Sequence, residues 1–189
     1  MAEPEPEEED PKEVTAESLL YDLKAEMHMR DPHKLRIFAV TFNMAGKCPE
    51  DFDVYEQLFQ RKNIDHDIYV VSTQEAERPI PSSILNPSKE KLYGIIRKYF
   101  GDDENEKEGF VMVTSISLAA ISMIVLVKKE ILQLLSDIES DTLPLGMGNS
   151  LPNKGAVSIS FKMAQRRFLF INCHLSAHIE HRDVRNEQF

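Results

Sequence analysis

The chain has 189 residues, 42% of them hydrophobic and 29% charged, with a net charge of −10 from 22 lysines and arginines against 32 aspartates and glutamates. That length suits one domain with its own core, and the balance excludes a chain disordered throughout. The acidic field repels nucleic acid and anionic lipid, so any phosphate chemistry needs a local cationic pocket, usually with a metal ion.

Cys48 and Cys173 are too few for a disulfide framework and read as reduced thiols. The opening MAEPEPEEED has neither the basic start nor the apolar stretch of a signal peptide. The most apolar window, SISLAAISMIVLV (115–127), falls short of the ~20 residues that a membrane helix needs. These features predict a cytoplasmic protein with at most peripheral membrane contact.

Residues 1–13 are proline- and glutamate-rich and predict a disordered acidic tail. Residues 14–33 predict a helix and linker: Leu19, Leu20, Leu23 and Met27 recur at helical spacing until Asp31-Pro32 breaks the pattern. The domain proper then spans 34–189. LRIFAVTFN (35–43) reads as a buried strand. Residues 53–62 read as a short amphipathic helix through Val54, Leu58 and Phe59, and DIYVVSTQE (67–75) as a second buried strand. A loop rich in proline and serine (RPIPSS) leads to a helix near 88–100, and a charged turn follows at 101–109.

Two adjacent strands are predicted across 110–128, then one or two helical turns in ILQLLSDI (131–138) and a loop in TLPLGMGNSLPN. KGAVSISFKM (154–163) and RRFLFINCHL (166–175) form a hairpin. The order predicts an α/β or α+β layered domain, a mixed sheet with helices outside it. Several strands end on polar groups, namely Asn43, Gln74-Glu75 and His174, and such groups over an apolar core are a common way to build a pocket.

Each of these residues also has a plain reading. Asn43 suits a turn, Glu75 a solvated strand end, Lys154 an exposed turn, and His174 a core histidine. His178, His181, Arg182 and Arg185 are spaced as one solvated helical face. Half of the six histidines fall in the last sixteen residues, which suggests zinc, but there is no CxxC and no H-E-x-x-H. A G-x-S-x-G elbow and a G-x-x-x-x-G-K-[ST] phosphate loop are also lacking. The combination is more informative. An amide and a carboxylate at strand ends are the hard oxygen ligands Mg²⁺ takes, and lysine, histidine, amide or arginine donors suit phosphate oxygens. Such a site suits metal-assisted hydrolysis of a phosphoester.

The motifs are more specific still. TFNMAG (41–46) resembles T-W-N-x-x-G, STQE (72–75) resembles a Q-E motif, NKGAV (153–157) matches N-K-G-x-V, and FINCHLSAHIEHRDVRNEQF resembles F-x-N-S-H-L-x-A-H…R-N-x-x-[FY]. Four matches in order over 35–189 resemble the inositol polyphosphate 5-phosphatases of the endonuclease/exonuclease/phosphatase superfamily. The resemblance implies an α/β two-sheet sandwich with outer helices and a site at the rim where strands end. It implies Mg²⁺ held by Glu75 with Asn43 beside it in the metal and phosphate network. Lys154 would line the pocket, His174 would contact the scissile phosphate, Asn186 would support the site, and His178 and Arg185 would help to bind phosphate. The implied substrate is a phosphoinositide lipid or a soluble inositol phosphate, with no nucleic acid as partner.

Phe42 stands where the family has Trp, Pro152 where Gly often precedes N-K-G, and Cys173 where it has Ser. The family's later G-D-x-N-Y-R, W-C-D-R and S-D-H motifs do not occur. By that resemblance the chain is the N-terminal part of a catalytic domain, an incomplete sandwich with little activity alone. The alternatives are a non-catalytic product that binds phosphate or a partner, and a superfamily relative, nuclease or sphingomyelinase, acting on another phosphoester. The missing Lys/Arg stripe with interleaved aromatics argues against a nuclease.

Overall fold

The computed structural model describes residues 34–59, 66–76, 89–102, 109–145 and 154–188. The acidic tail, the helix expected over 15–30, the RPIPSS loop, most of the 101–109 turn and Asn153 lie outside the described residues. Residues 36–189 form one unit.

Its first sheet is built on β1 (Ile37–Asn43) and β2 (Ile68–Gln74), which run parallel with Asn43 opposite Gln74. Helix α1 (Phe52–Phe59) lies in the crossover between them, as a parallel pair requires. The hairpin β3 (Phe110–Leu118) and β4 (Ile121–Lys128) adds β4 antiparallel to β2, so the order is β1-β2-β4-β3. Every residue of β4 and all of β2 except Gln74 are buried. Cover on both faces explains why these two strands read as unbroken apolar runs.

On one face, Tyr69, Val71, Ile124 and Leu126 pack with Tyr55 and Phe59 of α1 and with Leu92, Ile96 and Phe100 of α2 (Glu90–Phe100). The Tyr69 and Phe100 rings meet edge to face, with centroids 4.9 Å apart. Gly101 ends α2 at φ 65°, a left-handed cap whose amide reaches the Arg97 and Lys98 carbonyls. The second sheet covers the other face. It consists of β5 (Leu135–Pro144), β6 (Gly155–Met163) and β7 (Arg166–His174), with β6 in the middle. Strict alternation along β6 buries Val157, Ile159, Phe161 and Met163 against β3 and β4.

The expected sandwich is therefore present, with four local corrections. The helical turns expected over 131–138 are a single 3₁₀ segment at Lys129–Leu134, and from Leu135 the chain is β5, which runs through residues read as loop to Pro144. Central strand β6 pairs along its whole length with β5, and that ladder prevails over local apolar spacing. A bulge between Ser136 and Glu139, with Asp137 at φ 49°, breaks the alternation that would have marked a strand. Strand β1 is not buried: Ala39, Thr41 and Asn43 are exposed, because β1 is an edge strand. In α1 the buried residues are Tyr55 and Phe59, whereas Val54 is 44% exposed. His178 does not share a helical face with Arg182 and Arg185. It has φ 73° and precedes a 3₁₀ turn (Ile179–His181), and only then does α3 (Arg182–Gln188) begin.

Candidate active site

Parallel pairing puts the C-terminal ends of β1 and β2 side by side, and their exits are tied together. The Met44 amide donates to the Gln74 carbonyl at 2.8 Å, and the Gly46 amide to the Glu75 carbonyl at 2.7 Å. Glu75 leaves the sheet at φ 54°, a left-handed conformation costing a non-glycine residue roughly 1–2 kcal/mol. Such strain persists where surrounding contacts fix it, and it gathers at functional sites. Asn43 is exposed and its Oδ1 accepts from the Ala45 amide at 2.8 Å, the local turn that its residue type favours.

The second sheet brings its own groups to this rim. Register pairs Gly155 with His174, so Lys154, at the start of β6, stands beside the end of β7. Lys154 Nζ lies 2.8 Å from His174 Nε2, and His174 Nε2 lies 3.9 Å from Glu75 Oε1. Gly155 is required by close packing: a Cβ there would overlap the Leu143 carbonyl oxygen and lie 2.7 Å from Leu118 Cδ2. The glycine of the N-K-G motif thus has a steric reason.

Burial pushes the His174 imidazole below its usual range, and the Lys154 charge pushes it further, while Glu75 acts the other way. Burial likewise lowers Lys154, opposed by Glu75. A neutral imidazole can accept a Lys154 N–H at Nε2, which leaves two ammonium protons for other acceptors. Glu75 and His174 side chains are 27% and 14% exposed, open enough to meet a ligand.

The oxygen donors fit a divalent cation of the hard class. The Glu75 carboxylate and the Asn43 amide oxygen come from adjacent strand ends, and Mg²⁺ commonly takes one or two protein carboxylates and completes its shell with water and phosphate. Among the described residues, no three or more His, Cys, Asp or Glu side chains are grouped to hold a metal.

Asn172 was missed by periodicity. It is 3% exposed, and its Nδ2 donates to the Thr73 carbonyl at 3.0 Å and the Ser122 carbonyl at 2.9 Å. Its Oδ1 accepts from Gln74 Nε2, which also donates to Thr41 Oγ1 at 2.8 Å. Thr73 and Ser122 hydroxyls bond each other at 2.7 Å. This network locks β7 to β2 and β4 two residues before His174 and just before Glu75. Ser72-Thr73 and Ser122, polar residues inside apolar strands, are the signal that could have revealed it.

The remaining expected residues sit on or before α3, without a hydrogen bond or ion pair to the Glu75–His174–Lys154 cluster. Arg185 Nη1 donates to the Ser176 carbonyl at 3.0 Å and the His178 carbonyl at 2.6 Å. Gln188 binds the Ser176 amide at 3.0 Å and its hydroxyl at 2.9 Å. The helix thereby braces the turn after His174. Asn186 and His178 are exposed, and the His178 ring lies 6.0 Å from that of His181.

The family model for endonuclease/exonuclease/phosphatase family 2 matches residues 40–189. Among curated proteins, the phosphatidylinositol 4,5-bisphosphate 5-phosphatase INP51 of Saccharomyces cerevisiae is 27% identical over 161 residues, 82% of this chain and 17% of that protein. Phosphatidylinositol 3,4,5-trisphosphate 5-phosphatase 1 of Xenopus laevis is 31% identical over 170 residues, 84% of this chain and 15% of that protein. Among solved structures, the inositol polyphosphate 5-phosphatase domain of SpSynaptojanin, in complex with inositol (1,4)-bisphosphate and calcium ion, superimposes with a TM-score of 0.68. It is 23% identical, and the match covers 90% of this chain and 50% of that one. The chain thus spans half of that domain and a much smaller share of the curated relatives.

Proposed function

The chain belongs to the endonuclease/exonuclease/phosphatase family, with inositol polyphosphate 5-phosphatases as its relatives, and from that premise we propose that it carries part of the active site of a Mg²⁺-dependent phosphoinositide or inositol polyphosphate 5-phosphatase. The observation that carries this reading is the rim cluster, with His174 Nε2 at 2.8 Å from Lys154 Nζ and 3.9 Å from Glu75 Oε1. The relatives' named substrates and the inositol bisphosphate and calcium of the SpSynaptojanin complex support it.

Glu75 with Asn43 would hold the cation, which when bound polarises a phosphoryl oxygen and offsets developing charge. Lys154, oriented by the neutral His174 imidazole, directs its remaining N–H groups at phosphate oxygens, and a charge-assisted bond of this kind is stronger than a neutral one. His174 would donate to the same phosphate in its protonated form, in which Nε2 gives up the Lys154 bond. Asn186 and His178, both exposed, and Arg185 would meet the substrate from the segment after His174. Turnover by this chain alone would be slow, and the second reading is phosphate binding without turnover.

The test measures inorganic phosphate release from phosphatidylinositol 4,5-bisphosphate vesicles and from inositol 1,4,5-trisphosphate with Mg²⁺, beside equilibrium binding of inositol 1,4-bisphosphate. Binding that needs Mg²⁺ and is lost in Glu75→Gln and Lys154→Met, with little release, is the expected result. Binding indifferent to both substitutions sinks the assignment of the site. Fast release from the unaltered chain refutes slow turnover.

A further inference from the structure

Lys89 immediately precedes α2, is 2% exposed, and donates from Nζ to the Ala76 carbonyl at 2.5 Å. The buried face of α2 is otherwise apolar, through Leu92, Ile96 and Phe100. A buried ammonium is costly unless hydrogen-bonded, and the start of a helix is the end that disfavours positive charge. Packing alone would be served as well by methionine or leucine. The ammonium instead grips the carbonyl one residue beyond Glu75. Ala76 is fully buried, and Glu75, between it and Gln74, holds φ 54°. The exit from β2 is thus pinned at two successive carbonyls just after the Glu75 side chain: its own carbonyl receives the Gly46 amide at 2.7 Å, and the next carbonyl receives Lys89.

We infer that Lys89 is a positioning residue, whose ammonium, acting through the Ala76 carbonyl, holds the Glu75 carboxylate at the rim for a divalent cation opposite His174. The inference rests on the reading of Glu75 as a metal ligand. Groups that orient a ligand from behind typically alter metal affinity by 10–100-fold.

The experiment titrates the full chain with Mn²⁺, following free Mn²⁺ by electron paramagnetic resonance. It compares the unaltered protein, Lys89→Met, Lys89→Arg and Glu75→Gln, with thermal unfolding of each. Amide hydrogen exchange is read at Gly46 and Met44 without metal. Lys89→Met is expected to weaken Mn²⁺ binding about tenfold or more, Lys89→Arg to restore most of it, and Gly46 exchange to accelerate while Met44, bonded to Gln74, stays protected. Lys89→Gln, which keeps a donor without the charge, replaces Lys89→Met if that variant does not fold, and is read in the same way. Unchanged Mn²⁺ affinity in folded Lys89→Met, or in Lys89→Gln where it stands in, overturns the inference, as does unchanged Gly46 exchange in that variant. If Glu75→Gln binds Mn²⁺ like the unaltered protein, the metal role of Glu75 fails on its own account. The Gly46 exchange then decides whether Lys89 holds Glu75.

Discussion

Replacing Asn172 should loosen the two sheets from each other and the site with them. Its amide serves three partners: the buried carbonyls of Thr73 and Ser122 and the half-buried Gln74 side chain. A buried polar group left without its partner costs about 1–3 kcal/mol. Gln74 keeps its bond to Thr41, so its loss is small, and the two carbonyls dominate. Asn172→Leu, close in volume, should therefore destabilise by about 2–6 kcal/mol, a large part of the roughly 5–15 kcal/mol of a typical domain. The assay is urea unfolding of the full chain by circular dichroism, with an unchanged slope and a lowered midpoint expected. Asn172→Asp sharpens the test. Its introduced carboxyl would be buried and would face two carbonyl oxygens, so its folded pKa must rise above the ordinary ~3.9. A raised folded pKa means that the interaction is present below pH ~4 and lost as pH climbs through the folded value. Asn172→Asp should thus lose stability relative to the unaltered chain between pH 4 and 7. A midpoint within experimental error of the unaltered chain at pH 7, for either variant, would refute the network as a tie between the sheets.

In metal-free protein the His174 imidazole, followed by nuclear magnetic resonance, should titrate below its ordinary 6.5, because burial and then Lys154 lower it while Glu75 raises it. Lys154→Met should bring it back up and Glu75→Gln should depress it further; the opposite order would reverse the electrostatic assignment. A depressed folded value contributes stability above pH 6.5 that is lost as acid passes through the folded pKa, so the acid-side fall in urea midpoint should shrink in His174→Gln. Gly155→Ala would press a methyl on the Leu143 carbonyl and Leu118; overpacking of that kind costs about 1–3 kcal/mol, and a shifted His174 titration would show Lys154 displaced with it. Arg185→Ala removes two bonds that hold α3, a helix of seven residues and too short to persist alone, so Ser176 amide exchange should quicken while inositol phosphate affinity stays put. A matching loss of affinity would return Arg185 to the phosphate site.

What could be read from the sequence followed from how far apart the deciding residues lie. Strands β2 and β4 were legible because both faces of each are buried, and the β6–β7 hairpin because one face of β6 alternates strictly. Strand β5 was not, since its bulge breaks the period and its pairing depends on β6. Nor was the exposure of β1, which depends on its place at the sheet edge. The rim residues Glu75, Lys154 and His174 carried motif signatures; the network beneath them joins residues 73, 122 and 172, and no local window spans that separation. Yet period two links the two. Asn172 and His174 are two apart on one strand and so face the same way, toward the first sheet, with Phe168 and Phe170, whose rings stack on buried Phe161. Leu169 and Ile171 take the opposite face, 61% and 59% exposed, with Cys173 exposed beside them. Once Asn172 is tied to the carbonyls of β2 and β4, His174 has no choice of side. It emerges one pleat beyond the core, where β2 has just ended in Glu75, so the interior polar tie sets the spacing of the rim.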